Sequence, residues 1–139
     1  MADSLNFSIR NTDEGLVRAV HRMNAGLERL QLPQRTLYIA TLAFEEILTN
    51  IYKYAYDDNG VHDIEFRLHV TDSELIMEFE DNGIEFDPCA EPDPDLQAPI
   101  SGTEPGGLGI HLVRKMTDSM TYRRQDGRNI LNIVVRICE

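Results

Sequence analysis

The chain lacks any long apolar run; its longest is a handful of residues, whereas a membrane-spanning helix needs about 20. The opening Met-Ala-Asp-Ser-Leu-Asn has neither the basic nor the apolar stretch of a secretory signal. A cytoplasmic protein without a membrane role is therefore expected. Cysteine is nearly absent, and the two present, Cys89 and Cys138, show no metal-ligand spacing and cannot build a disulfide framework. They are read as free thiols without a role. Positive charge is also short: 13 Lys and Arg against 24 Asp and Glu leave a formal net charge of -11. Binding a nucleic-acid backbone requires a basic face, so no nucleic-acid partner is expected. A partner with a basic surface suits this charge better, although acidic surfaces also serve simply to keep proteins in solution. No internal repeat is visible.

What is present is enough for one core. With 139 residues, 42% hydrophobic and 27% charged, the chain is expected to form a single domain over residues 1–139. Leu5, Phe7 and Ile9 alternate with polar residues, the period of a half-buried strand. After the capping stretch Asn11-Thr12-Asp13-Glu14, Leu16, Val17, Val20, Met23, Leu27 and Leu30 recur at helical spacing. Arg18, His21, Arg22 and Arg29 give that helix a basic side, which is a solvated face or a contact for an acidic partner. A second helix is expected from about Gln34 to Tyr56, with Leu37, Ala40, Phe44, Ile47, Leu48, Ile51 and Ala55 as its apolar face. Ile64 to Val70 and Leu75 to Asp81 alternate as two strands of a hairpin turning at Asp72-Ser73.

Between Asn82 and Gly106 the texture changes: five of the six prolines and six acids, with no lysine or arginine. Such a stretch cannot bury enough apolar surface to order itself, and inside a small domain a loop this long is a lid, a binding loop or an idle insertion. Its flanking glycine motifs favour a lid, at about residues 84–106. Beyond it, Gly106-Gly107-Leu108-Gly109 opens a third helix with Leu108, Leu112, Val113 and Met116 apolar, and two strands follow around a turn at Gln125-Asp126-Gly127. The order β-α-α-β-β-lid-α-β-β describes an α+β two-layer α/β sandwich, a mixed, mainly antiparallel sheet covered on one face by three helices.

Three separated pieces share one chemical logic. Glu46 and Asn50 stand four residues apart, about 40° around a helix, and so project from one strip, opposite the expected core face. Asn50 offers a hard oxygen suited to magnesium, and Glu46 a carboxylate able to take a proton from an attacking hydroxyl. Asp81-Asn82-Gly83 ends a strand with an acceptor for an exocyclic amine and a glycine that admits a flat ring. Gly107-Leu108-Gly109 places free N–H groups at a helix start, where phosphate is favoured. Singly, each is a common surface or turn feature; their order along the chain is what is informative.

On Glu45-Glu46-Ile47-Leu48-Thr49-Asn50 with Ala55-Tyr56, on Asp81-Asn82-Gly83-Ile84-Glu85-Phe86-Asp87-Pro88 and on Gly106-Gly107-Leu108-Gly109-Ile110, the chain resembles the GHKL (Bergerat-fold) ATP-binding superfamily over nearly its whole length. It is most similar to the single-domain branch of anti-sigma-factor serine/threonine protein kinases, to which the Phe86-Asp87-Pro88 ending is the most specific pointer. The resemblance implies ATP and magnesium as cofactors, Glu46 as general base, Asn50 as magnesium ligand and Asp81 as the adenine-reading carboxylate. It further implies Gly83 against the base, Gly107, Leu108 and Gly109 near the phosphates, and Asn132 in the place of a last-strand threonine or serine that supports the adenine. Two positions depart from the pattern: Tyr54 stands for a histidine, and Glu85 for the second glycine of the fuller first box. Implied partners are a small STAS-type antagonist protein, phosphorylated on serine or threonine, and a sigma factor or similar target; members of this branch commonly form homodimers. The other reading is a non-catalytic, nucleotide-gated module that sequesters a regulatory partner. A histidine-kinase catalytic domain is disfavoured, since no helical segment with a phospho-accepting histidine precedes the boxes.

Overall fold

In a computed structural model of the chain, residues 3–90 and 107–137 are described. Strand β1 (Asp3–Arg10) leads into helices α1 (Asp13–Leu30) and α2 (Gln34–Tyr54); the hairpin β2 (Asp63–Val70) and β3 (Glu74–Asp81) follows. A short 3-10 turn at Pro88–Ala90, helix α3 (Gly107–Met116) and the hairpin β4 (Ser119–Gln125) and β5 (Arg128–Arg136) complete the described chain. The five strands form one sheet in the order β1-β2-β3-β5-β4, and every neighbouring pair is antiparallel rather than mixed. The reason is that β5 sits between β3 and β4. The crossover through α3 therefore joins two strands running in the same direction without pairing them, a split β-α-β unit.

The register lays the core out in rows. Phe7, Phe66, Phe79, Leu131 and Tyr122 are successive cross-strand partners, and so are Leu5, Leu68, Met77, Ile133 and Met120. Side chains alternate faces along a strand, so both rows point the same way, and the helices cover that face. Phe44 of α2 reaches the first row, with ring centroids 4.8 Å from Phe66 and 6.0 Å from Phe79. One row further along, the core face turns polar: Asp81 pairs with Asn129, and Asn129 with Arg124.

Local chemistry sets the element ends. Thr12 caps α1, its Oγ1 accepting from Gly15 N at 3.0 Å. The β2–β3 turn is held by Thr71 Oγ1, which accepts from Glu74 N at 3.1 Å, and the β4–β5 turn has Asp126 and Gly127 both at positive φ. Helix α2 ends at Tyr54 instead of Tyr56 because the Ala55 carbonyl turns away to accept from Ile84 N at 2.8 Å.

Three apolar assignments by periodicity shift. Val17, Leu37 and Leu112 are exposed by 57%, 36% and 46%, while Ala19, Ile39, Ala43 and Ile110 are buried in their stead. The sheet meets each helix on an arc turned slightly from the most apolar one. Truncating Phe66, which is 1% exposed and touches three other rings, is expected to cost about 3–5 kcal/mol in chemical denaturation. Val17→Ala on the exposed side of α1 should stay within about 0.5 kcal/mol of wild type.

Candidate functional site

A pocket opens where the polar row of the sheet meets the C-terminal half of α2. Its lining comes from α2 (Ile47, Asn50, Ile51, Tyr54, Ala55), β3 (Phe79, Asp81), the segment after β3 (Ile84, Phe86, Pro88) and the β4–β5 hairpin (Tyr122, Asn129, Leu131). It encloses about 460 Å³ of atom-free space, its mouth included. Asn50 and Asp81, 31 positions apart in sequence, face the same cavity.

Asp81 is 4% exposed at the floor. Its Oδ1 accepts from Gly83 N at 2.8 Å and from Asn129 Nδ2 at 2.9 Å; among the described residues no hydrogen bond falls on Oδ2. Burial pushes its pKa above the ordinary value, and the Asn129 amide, the Gly83 N–H and the Arg124 and Arg128 charges pull back against that rise. Asn129 is the hub of this floor. It donates to Asp81 and to the Ile84 carbonyl at 2.8 Å, while its Oδ1 accepts from Tyr122 OH at 2.6 Å and Arg124 Nη1 at 3.0 Å. Arg124 also donates to the Gly83 carbonyl at 2.9 Å, tying the turn after β3 to β4. Behind the floor, the buried Tyr56 hydroxyl finds no partner among the described residues, and burial, followed by the Asp81 charge, pushes it up to about 12.

Asn132, expected to support the base, does not reach the pocket. It is three positions from Asn129, so strand alternation puts it on the opposite sheet face, between Glu78 and Thr121. Asn129 shares the parity of the buried Leu131, Ile133 and Val135, a polar residue at a core-facing position, and that was the signal available in the sequence. Arg124 and Tyr122 carried no such signal.

Gly83 has a packing reason of its own besides the approach of a flat ring. A Cβ there would sit 2.6 Å from Ala55 Cβ and collide with the Ala55 carbonyl, so glycine is needed to admit the end of α2. Glu46 and Asn50 also lie differently: both are half-buried beside Ala43, Ile47 and Ile51, at the edge of the core arc and not opposite it. Glu46 faces α3. A Cβ on Gly109 would meet its Oε2, so the first turn of α3 lies directly against the carboxylate, and a larger residue there would push the end of the Glu46 side chain aside. Gly107 starts α3; its surroundings and the Leu108 side chain lie outside the described residues, as does Gly106.

Of the expected lid, residues 84–90 form the pocket wall, and 91–106 lie outside the described residues. The wall is built by Asp87, whose Oδ1 accepts from Cys89 N at 2.8 Å, and by Cys89, whose thiol donates to the Met120 carbonyl at 3.2 Å. Arg114 of α3 donates to the Cys89 carbonyl at 3.3 Å. The Phe86-Asp87-Pro88 ending is thus pinned to both β4 and α3.

Among the described residues no group of three His, Cys, Asp or Glu side chains is placed to hold a metal. The donor set still fits a magnesium nucleotide, since magnesium is commonly bound through one or two protein oxygens plus phosphates. A buried carboxylate with one open oxygen, set in apolar walls beside an amide, matches an aromatic amine-bearing base.

A family model described as the histidine kinase-like ATPase domain matches residues 9–135. Serine/threonine-protein kinase BtrW of Bordetella bronchiseptica is 31% identical over 99 residues, 71% of this chain and 70% of the relative. Serine-protein kinase RsbW of Halalkalibacterium halodurans is 27% identical over 92 residues, 62% and 54% of the two chains. The Acinetobacter baumannii histidine kinase AdeS superposes with a TM-score of 0.49 at 16% identity, over 99% of this chain and 68% of that one. The chain belongs to the histidine kinase-like ATPase (GHKL) family, in the branch that holds these serine/threonine protein kinases.

Replacing Asp81 by Asn keeps an acceptor for Gly83 N and Asn129, but sets an amide against an incoming amine. ATP affinity by calorimetry should fall by about tenfold or more. Folding should respond in the opposite sense. Because the native pKa of Asp81 is raised, the ionised carboxylate destabilises the fold above that pKa, and the penalty disappears as pH falls to the ordinary 3.8. Denaturation midpoints should therefore place Asp81→Asn at or above wild type at pH 7, with the gap closing toward pH 4.

Proposed function

We propose that the chain is an ATP-dependent serine/threonine protein kinase and anti-sigma factor of a bacterial partner-switching system, phosphorylating a small STAS-type antagonist protein. The observation that carries this reading is the convergence of three sequence boxes. Asn50 and Asp81 line one pocket, and Glu46 of the same helix meets Gly109 in the first turn of α3. The names of the Bordetella and Halalkalibacterium relatives, both protein kinases acting on serine or serine/threonine, support it.

Bound ATP with magnesium supplies the γ-phosphoryl group and the cation that offsets its charge. The chain's residues supply the rest. Asp81, acceptor-only while ionised, selects a base carrying an amine, and Asn129 holds that carboxylate in place. Asn50 offers its amide oxygen to the metal. Glu46 takes the proton of the attacking serine or threonine hydroxyl as the bond to phosphorus forms and the bond to the leaving ADP oxygen breaks. The N-terminal turn of α3 turns its positive end toward the phosphates.

A sigma factor as the sequestered target, and pairing of two copies of the chain, complete the proposed cycle. Among the described residues no helix is long and apolar enough to cross a membrane.

Glu46→Gln preserves side-chain size next to Gly109 and removes the base. Transfer of radiolabelled phosphate to the antagonist should drop by about 100-fold or more, with ATP affinity within about twofold of wild type. Undiminished transfer in this variant would rule Glu46 out as the base. Absence of label on any antagonist with the wild-type protein would favour the nucleotide-gated binding module.

A further inference from the structure

A second cavity lies at the far end of α2 from the nucleotide pocket. Arg35, Thr36 and Ile39 of α2, Lys115 and Met116 of α3, and Thr117, Asp118, Val135 and Arg136 surround about 550 Å³ of atom-free space, mouth included. At 1.5 Å per residue, the 15 positions from Arg35 to Asn50 set it about 22 Å along the helix from the magnesium-ligating amide.

We infer that this cavity is a binding site for a small tetrahedral oxyanion of the phosphate type. Thr36 is a buried polar residue, 2% exposed, whose hydroxyl makes no hydrogen bond among the described residues and which lines the cavity. Such a hydroxyl, unpaired among the described residues and reached only from the cavity, is free to bond an acceptor that enters there. The start of α2 provides further donors. Its N-cap is Pro33, no side chain caps it and no acid stands in its first turn; the first intrahelical bond is from Leu37 N to the Pro33 carbonyl at 3.0 Å. The N–H groups of residues 34–36 have no intrahelical acceptor, and the helix dipole makes this end attractive to anions.

The surrounding charge has the matching sign. Arg35 and Lys115 line the cavity and form no ion pair among the described residues, in a chain of net charge -11; Arg136 alternates onto the other sheet face and meets the cavity wall through its backbone N–H. Two features oppose an anion, and both are already engaged. The Asp118 carboxylate accepts from Arg136 N at 2.7 Å through Oδ2, and the Val113 carbonyl in the last turn of α3 accepts from Thr117 Oγ1 at 2.6 Å. Two cations against one carboxylate already engaged, a fan of free N–H groups and an unpaired hydroxyl match the several acceptor oxygens of a phosphate-type ion better than the two of a carboxylate.

The test is a titration of the full chain with inorganic phosphate, with sodium chloride at matched ionic strength as control, followed by backbone amide NMR. Saturable shifts are expected at Gln34, Arg35 and Thr36, persisting when ATP is saturating. In the double variant Arg35→Gln, Lys115→Gln the fitted affinity should weaken by about tenfold or more, with ATP affinity unchanged within about twofold. Thr36→Val should melt at or above the wild-type temperature without phosphate and lose part of the phosphate-induced rise. Shifts equalled by chloride, shifts confined to the Asn50–Asp81 pocket and competed away by ATP, or an affinity unaltered in the double variant would each overturn the assignment.

Discussion

The hydrogen bond from Asn129 Nδ2 to Asp81 Oδ1 is the constraint on which the rest of the site depends. It spans 48 positions in sequence at 2.9 Å and exists only because β3 and β5 pair with Asp81 opposite Asn129. Removing one partner leaves a buried carboxylate or amide unsatisfied, at a cost of about 1–3 kcal/mol or more where charge is involved. Around this bond the other polar contacts fall into place: Ile84 and Gly83 through their carbonyls, Tyr122 through its hydroxyl, and Arg124 bridging two of them. A slip of β5 by one residue would turn Asn129 outward and bring apolar side chains to the floor, so the core and the site enforce the same register.

Helix α2 works as a strut between this floor and the other layer. Its apolar arc packs on the aromatic row, its C-terminal end is gripped by Ile84 N, and Glu46 lies against α3. Close backbone approach at Gly83 lets the end of α2 touch the segment after β3 and sets that spacing before any ligand is considered, while at Gly109 it is the Glu46 side chain that reaches across to α3. The opposite face of the sheet has a plainer role. There Arg67 bridges Glu78 and Glu80, and Arg128 meets Glu80, a mesh of partly exposed ion pairs that keeps this face polar and contributes little to stability. These pairs absorb basic side chains, so the unpaired cations around the start of α2 stand out within an acidic molecule.

The order of elements, the strands that alternate and the three boxes were legible in the sequence, because each depends on residues close together in the chain. Period-two alternation identified Phe7, Phe66 and Phe79 as core, and the glycine and capping signals placed the turns within a residue or two. Glu46, Asn50 and Asp81 were legible because their side-chain chemistry and their order suffice to suspect a nucleotide. Parity could also have separated Asn129 from Asn132, since only Asn129 is in phase with Leu131, Ile133 and Val135.

What only the tertiary structure decided concerns partners distant in sequence. Periodicity finds the apolar arc of a helix but not which part of it the sheet will cover, and so Val17, Leu37 and Leu112 proved exposed and Glu46 and Asn50 proved half-buried. A proline-rich composition marks a loop but not where it anchors; residues 84–90 became a pocket wall through contacts to Met120 and Arg114. The role of Gly83 depended on the arrival of Ala55, and the unpaired Thr36 emerged only when α2, α3 and β5 met. By itself the sequence determined the local elements and the chemical kinds of residue available; pairing across the sheet and between layers decided which of them converge, because convergence is set by register and packing between segments that no local pattern relates.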